Sequence, residues 1–445
     1  MCGLFHFRKA IMKATLSKLR FVALALVAVV AAILPMATVA AAAARVFEFT
    51  HSWVTQKKQD FALGANTLTG LIPTLYEALN VVSREMVGFI PAVRRDSNAE
   101  RAAVGQTVRI PLGESGALED ITPGATPANS GDTTVGFADI TISKSKAAPI
   151  RWNGEEQKAV GSTGTYNQIL ADQFADGMRK IVNAMEIDLA ASAKTGASRA
   201  YGTAGTTPLG TAGDLSDLAG VAKILDDNGA PVVNRQLVLN SASIANLRGK
   251  QSVLFKVNEA GSSDMLRTGM TDLLQNMAVR YSAGIQQHVK GTGASYVTSG
   301  STAAGVRDIA LVTGTGTVLA GDVVTFAADS ANKYVIGTGV AAPGTISLNR
   351  PGALMTIPTA NALTVGNSYT GNFAFSRNAL VLACRAPAVP DGGDSADDSM
   401  MITDPVTGLT FEVRVYRQYR QVKFEICMAW GTGVTKPEHI ATLLG

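Results

Sequence analysis

Apolar and polar residues alternate with a period of two along residues 404–430. Phe411, Val413 and Val415 interleave with Glu412, Arg414 and Tyr416; after a turn, Val422, Phe424, Ile426, Met428 and Trp430 interleave with Lys423, Glu425 and Cys427. Successive side chains on a strand point to opposite faces, so this spacing predicts two long strands, each with one buried face. The other faces carry Glu412, Arg414, Arg417, Arg420, Lys423 and Glu425, mixed charges suited to a polar contact with another element or another subunit.

A helical period dominates residues 162–193, where Leu170, Phe174, Met178, Ile181, Met185 and Leu189 recur at spacings of three and four. At ~1.5 Å per residue this is a rod of about 45 Å. Earlier, Asn66 or Thr67 caps a helix through Leu71, Leu75, Leu79, Val82 and Met86, with Pro73 tolerated early and Pro91 closing it. Residues 108–114 and 137–145 read as two strands with a tip containing Pro123, Pro127 and Gly131. They predict an extended hairpin of roughly 45 residues, longer than ordinary hairpin connections, which must rest on something else. Asp214, Leu218, Ala222, Leu225 and Gly229 mark a capped helix with a glycine stop, followed by a strand over 236–240 and a short helix over 241–248. Residues 255–279 are mixed, with a surface loop around Gly261 and Ser262.

Over residues 284–372 the chain turns into Gly-, Thr- and Val-rich β sequence with turns at near-regular intervals, which predicts a small barrel or sandwich. The mixed pattern returns at 375–390, so the β stretch reads as a domain inserted into a host. Residues 391–398 follow as an acidic loop.

Composition narrows the function. A 445-residue chain that is 47% hydrophobic can bury one large core or two to three modest ones. Charged residues are 17%, against about 25% for an average soluble domain, which points to surfaces that end up covered. The net charge of +4 is spread along the chain without the dense basic stripe of a sequence-specific DNA reader. Cys2, Cys384 and Cys427 are too few for a disulfide framework and read as reduced; Cys384 and Cys427 behave as small hydrophobes in apolar strand patterns.

The first residues carry a different message. Lys13, Lys18 and Arg20 precede the apolar run 21–34 and the small-residue tract 37–44, the layout of a secretory signal, tidier still if Met12 is the start. A spanning helix over 21–44 is the alternative, opposed by Pro35 and the weakly apolar alanines. A third reading is an upstream in-frame stretch that the mature protein lacks.

Candidate chemistry is sparse. His6, His51, His288 and His439 have no sequence neighbour at metal or triad spacing, and no hydrolase, zinc or phosphate-loop motif occurs. Gly314, Gly316 and Gly321 lie between β runs with no helix following, so they read as turns. Asp391, Asp394, Asp397 and Asp398 could offer oxygens to a hard cation, but their spacing is not that of an EF-hand, and a solvated acidic loop is the favoured reading. Glu155 and Glu156, beside Trp152, would point to opposite faces of a strand and form no catalytic pair. His439 reads as a helix-surface residue. The expectation is a non-enzyme with no catalytic, cofactor-binding or metal-binding residue.

Three long segments carry a family resemblance: residues 65–112 (ANTLTGLIPTLYEALN through QTVRIPL), residues 121–158 (ITPGATPANSGDTTVGFADITISKSKAAPIRWNGEEQK) and residues 404–445 (DPVTGLTFEVRVYRQYRQVKFEICMAW through ATLLG). They resemble the major capsid proteins of tailed double-stranded DNA phages, more narrowly the podovirus coat-protein family with an inserted β domain, in consistent order over 65–445. The resemblance implies an α+β Hong Kong 97-type capsid fold: an N-arm over 65–104, an extended loop over 105–151, and the spine helix with peripheral and axial domains over 152–283. An immunoglobulin-like or telokin-like insertion over 284–373, supporting folding and intercapsomer contacts, and a return to the axial and peripheral domains over 374–445 complete it. Residues 1–64 have no counterpart and are expected to be absent from the mature particle, whose first residue should lie near Ala65.

The implied function is self-assembly, as pentamers and hexamers, into an icosahedral shell enclosing phage or prophage double-stranded DNA. Scaffolding protein, portal protein and non-specific contact with packaged DNA are the implied partners; no stable membrane association is expected. Assembly would take place in the host cytoplasm and the product would be the virion capsid. A lysine–asparagine cross-link, conceivable from Lys144, Lys146 and Asn153, is expected to be absent. The alternative, taking the signal at face value, is a secreted or surface-displayed β-rich adhesin, with an exported hydrolase behind it. An adhesin should fractionate with the envelope as monomers, a coat protein as very large particles.

Overall fold

The computed structural model describes residues 88–112, 135–161, 166–251, 273–404 and 408–445, together with Thr74, Leu75, Ala78, Leu79 and Pro123. The signal-like segment, most of the predicted arm helix, the hairpin tip and the loop around Gly261 lie outside the described residues.

Few helices and many strands build an α+β architecture. The helices are α1 (Phe89–Ala92), α2 (Gly154–Gly161), α3 (Tyr166–Gly196), α4 (Ser216–Asp227) and α5 (Ser241–Lys250). The strands up to the second half of the chain are β1 (Arg94–Ala102), β2 (Thr107–Leu112), β3 (Gly136–Thr141), β4 (Lys144–Asn153), β5 (Arg199–Tyr201), β6 (Arg235–Leu239), β7 (Leu273–Leu274), β8 (Met277–Tyr281) and β9 (Gln287–His288). A β-rich run follows: β10 (Tyr296–Thr298), β11 (Asp308–Val312), β12 (Val323–Phe326), β13 (Asp329–Thr338), β14 (Thr345–Leu348) and β15 (Ala362–Val365). The chain closes with β16 (Tyr369–Ser376), β17 (Leu380–Pro387), β18 (Asp398–Thr403), β19 (Thr410–Gln418), β20 (Gln421–Val434) and β21 (Ile440–Leu444).

The long helix exists because its apolar stripe has somewhere to go. One sheet runs β1-β17-β20-β19-β18, with β4 on the other side of β20, and α3 lies across it. Phe174 meets Phe424 edge-on, centroids 5.6 Å apart; Trp430 Nε1 donates to Asp188 at 2.9 Å, and Lys144 joins the same carboxylate. Small residues let helix and strand approach: a Cβ on Gly177 would stand 3.0 Å from the Ile426 side chain and 3.3 Å from Ala148. Truncating the fully buried Phe174 to alanine would cost about 3–5 kcal/mol.

A second, longer sheet has the order β12-β15-β10-β11-β14-β13-β5-β21-β16-β6-β8-β7, with β9 on β16. On its host side, α4 buries Leu218, Val221 and Leu225 against Leu237, Ala374 and Leu443. The α4 helix ends before Gly229, whose φ of +69° supplies the left-handed stop read in the sequence. The β-rich run encloses a core of its own, including Tyr296, Phe326, Tyr334, Ile336 and Leu363. It is also tied to the host: Lys333 and Tyr334 of β13 pair with Ala200 and Arg199 of β5, and the Asn349 amide donates to Thr195 O and Ala197 O, both at 2.7 Å, at the end of α3.

Several elements differ from the sequence expectation. Pro91 lies inside the short α1 instead of closing a long arm helix, because its φ is tolerated in a first turn. Residues 144–151, read as part of the extended loop, form β4 and pair with β20 throughout. Glu155 and Glu156 are in α2, not on a strand: Asn153 Oδ1 accepts from Glu156 N at 2.7 Å while Glu156 Oε2 accepts from Asn153 N at 3.1 Å, a reciprocal N-terminal cap. Residues 369–373, read with the β insertion, belong to β16, which pairs with the host strands β6 and β21. His439 ends a 3-10 turn (Pro437–His439), and the apolar residues after it form β21 between β16 and β5. Five residues are too short for a helix to bury, and two flanking strands supply their hydrogen bonds.

Candidate assembly surfaces

The β2–β3 hairpin is the element whose form most needs explaining. Its root is apolar: Ile110, Ile140 and Ile142 pack with Ala102, Val381, Ala383 and Ala429. Two glycines make room for it, since a Cβ on Gly431 would lie 2.1 Å from Thr141 O and one on Gly433 2.2 Å from the Ile140 side chain. Farther out, the pairing continues to Leu112 and Gly136, but cover does not. Phe137 is 55% exposed and Val135 69%. Arg109 braces the outer strands by an ion pair to Asp139 at 3.0 Å and by lying 3.9 Å over the Phe137 ring.

The charged faces of the closing hairpin are not free. Glu412 is 1% exposed and Arg414 8%, so this part of the polar face read as a contact surface is internal, whereas Arg417 and Arg420 are exposed. Arg101 of β1 donates to both Glu412 oxygens at 2.7 and 3.2 Å, and Arg414 Nε donates to Oε1 at 2.8 Å. The acidic loop supplies the remaining charge: Asp394 accepts from Arg414 and from Tyr416 Oη, and Asp397 meets Arg417 at 3.2 Å. Asp394 and Asp397 thus act as counterions to arginines. No group of three or more His, Cys, Asp or Glu side chains arranged to hold a metal ion occurs among the described residues.

Other titratable groups are structural in their geometry. Glu186, buried on α3, accepts from Phe89 N (2.9 Å), Ile90 N (2.8 Å) and Ser282 Oγ (2.7 Å), pinning α1 and the end of β8 to the long helix. Burial pushes its carboxyl pKa above the usual range, although all three donors pull the other way. His288 Nε2 lies 2.8 Å from Asp322 Oδ1, and the Asp322 carboxylate also accepts from Gly291 N and Leu319 N. This buried cluster, backed by the Tyr369 ring, joins the β-rich run to β9 and β16. A spacing of 34 residues left no trace of it in the sequence. Cys384 and Cys427 are free and buried, and burial raises both thiols to about 12, which leaves them unreactive. Burial holds His439 below its ordinary value. Gly314, Gly316 and Gly321 all have positive φ, as turns between strands require.

One open groove runs between α3 and β4, with a volume of about 690 Å³. Ala147, Ala148, Ile150, Gly177 and Ile181 are among the residues that form its walls, with Lys146, Arg151, Lys180, Asp172 and Asp176 as its charged lining. The outer edge of β4 pairs with no strand among the described residues. No helix among the described residues is long and apolar enough to cross a membrane.

No family model and no curated protein matches the chain. Solved structures similar to it include capsid shells. The capsid of the cyanophage P-SCSP1u is 11% identical, with 80% of this chain and 88% of that chain covered and a TM-score of 0.41. Mycobacterium phage Che8 is 13% identical, with 76% and 84% covered and a TM-score of 0.39. The capsid of a native GTA particle is 12% identical, with 82% and 89% covered and a TM-score of 0.38.

Proposed function

We propose that this chain is a structural subunit of a closed protein shell, a major capsid protein of the Hong Kong 97 type enclosing phage or prophage double-stranded DNA. The observation that carries the reading is the β2–β3 hairpin. It is rooted in apolar packing at one end, and exposes Val135 and Phe137 at the other. An isolated two-stranded ribbon is marginal in water, so the arm is stable only with a neighbour beneath it. Resemblance of residues 65–112, 121–158 and 404–445 to phage coat proteins supports the same conclusion.

On this reading α3 is the spine helix, the hairpin with residues 113–134 the extended loop, and the β1-β17-β20-β19-β18 sheet with β4 the peripheral domain. The core under α4 belongs to the axial domain, and β10–β15 form the inserted β module of the podovirus coat proteins. Pentamers and hexamers of the chain tile the shell, with scaffolding and portal proteins as assembly partners and packaged DNA inside. The test is sedimentation and electron microscopy of residues 65–445 expressed with the cognate scaffold. Closed shells or aberrant sheets are expected; persistent monomers would sink the proposal.

A further inference from the structure

Residues 202–215, the loop from β5 to α4, form much of the wall of a second pocket, of about 420 Å³, where β13 joins the host. The loop is tied down along its length. Gln251, 1% exposed, donates through Nε2 to the carbonyls of Leu209 (3.3 Å), Thr211 (2.7 Å) and Asp214 (3.2 Å). Asn246 Nδ2 donates to Pro208 O at 3.0 Å, Asp217 accepts from Leu209 N at 2.8 Å, and Lys333 of β13 donates to Gly202 O. These bonds hold the buried Leu209 at a φ of +57°, a left-handed conformation uncommon outside glycine, asparagine and aspartate. Such strain persists only where its surroundings fix it, and it gathers at ligand clamps.

What the loop offers the pocket is polar and unspent. The hydroxyls of Thr203, Thr206, Thr207 and Thr211 line it and make no hydrogen bond among the described residues; each can donate once and accept twice. Asp214 and Asp217 add carboxylates, and Lys333, engaged with Gly202 O, is the only cation of the lining among the described residues. Tyr201 supplies an aromatic surface: a Cβ on Gly220 of α4 would stand 2.4–2.5 Å from three carbons of its ring. The ring therefore lies against the glycine on one side, while the residue stays 38% exposed.

We infer that this pocket binds a neutral saccharide, one sugar ring resting on Tyr201 with its hydroxyls on Asp214, Asp217 and the threonines. Two carboxylates against one engaged ammonium repel a phosphate or another anion, and the walls are too polar for an aliphatic ligand. A sugar ring matches both halves of the lining, since its hydroxyls both donate and accept while its C–H face is apolar and seats on an aromatic ring. The volume falls in the range of small-molecule sites, about 300–1,000 Å³. Binding here needs no assembly, so it goes beyond the shell reading and each can fail without the other.

Saturation-transfer NMR and titration calorimetry of the full chain test this. The probes are glucose, galactose and N-acetylglucosamine, each as the free sugar and as its trimer, with inorganic phosphate as the anionic control. At least one sugar should bind with a Kd near about 1 mM, and phosphate should not. Tyr201→Ala should weaken that sugar about tenfold by removing the platform, and Tyr201→Phe, which keeps the ring, should weaken it less. Thr203→Val with Thr206→Val keeps shape and removes two hydroxyls, for a loss of about tenfold; both positions are exposed, so this pair reports on the pocket even where Tyr201→Ala fails to fold. Asp214→Asn still accepts from Ser216 N and should cost about threefold. No binding of any probe sugar at about 10 mM overturns the inference. Sugar binding that survives the paired threonine substitutions undiminished, or phosphate binding tighter than every sugar, overturns it as well.

Discussion

Two buried glutamates divide the work of holding residues that are far apart in the chain. Glu412 neutralises Arg101 and Arg414 at once, and these come from β1 and β19. Replacing it with alanine takes a carboxylate from both guanidiniums; Arg414 keeps Asp394, so the loss is that of hydrogen bonds to charged groups, about 1.5–3 kcal/mol. Arg101 is 36% exposed, so Arg101→Ala should cost nearer 1 kcal/mol. Urea denaturation of both variants measures the contrast; equal losses would mean that the carboxylate is not the hub. Glu186 acts through protonation instead. Its folded pKa lies above the unfolded one because of burial, so the stabilising effect is full below about pH 4.3 and is lost as pH rises through the raised value. Glu186→Gln cannot ionise, and its unfolding midpoint should therefore decline less than the parent's as pH rises from about 5 to about 7. Parallel profiles for the two proteins would contradict this.

Elements were legible in the sequence where one face decides their fate. The α3 stripe, the Gly229 stop and the paired strands β19 and β20 all follow from local periodicity, as does the β texture read over residues 284–372, within which β10–β15 lie. What was not legible depends on distant cover. Glu412 reads as solvent-facing because alternation assigns it the polar side, yet Arg101 approaches from 311 residues away. β21 reads as a helix end because nothing local announces β5 and β16 beside it, and Asn153 begins a helix that only its bond with Glu156 reveals. The groove was invisible for the same reason, being made by two elements that become neighbours only through β20. The hairpin was legible in its strands, and its length gives the prediction at this scale. Deleting residues 116–131 removes only tip, since the apolar root at Ile110, Ile140 and Ile142 stays. Melting temperature should hardly change while particle formation is lost; intact shells from the deletion would show that the arm has no assembly role.

A shell built from such subunits needs many weak contacts acting together, because each added interface raises the effective concentration for the next. Covalent closure is the other route to a durable particle, and the groups for it are otherwise engaged. Lys144 is held by Asp188, and Asn153 both accepts from and donates to Glu156 as a helix cap. A lysine attacks an asparagine only when its amine can reach the amide; Asp188, which also binds the Trp430 indole, holds the Lys144 amine in place at the start of β4, while Asn153 is engaged at its far end. Lys146 is exposed and makes no ion pair among the described residues, so no carboxylate stands beside it to take its proton. Assembled particles should therefore dissolve in hot denaturant to a single monomer band on a gel. A ladder of dimers, trimers and higher species resisting that treatment would mean that Lys144 or Lys146 leaves its observed position during assembly, and that covalent bonds, not summed weak contacts, hold the shell.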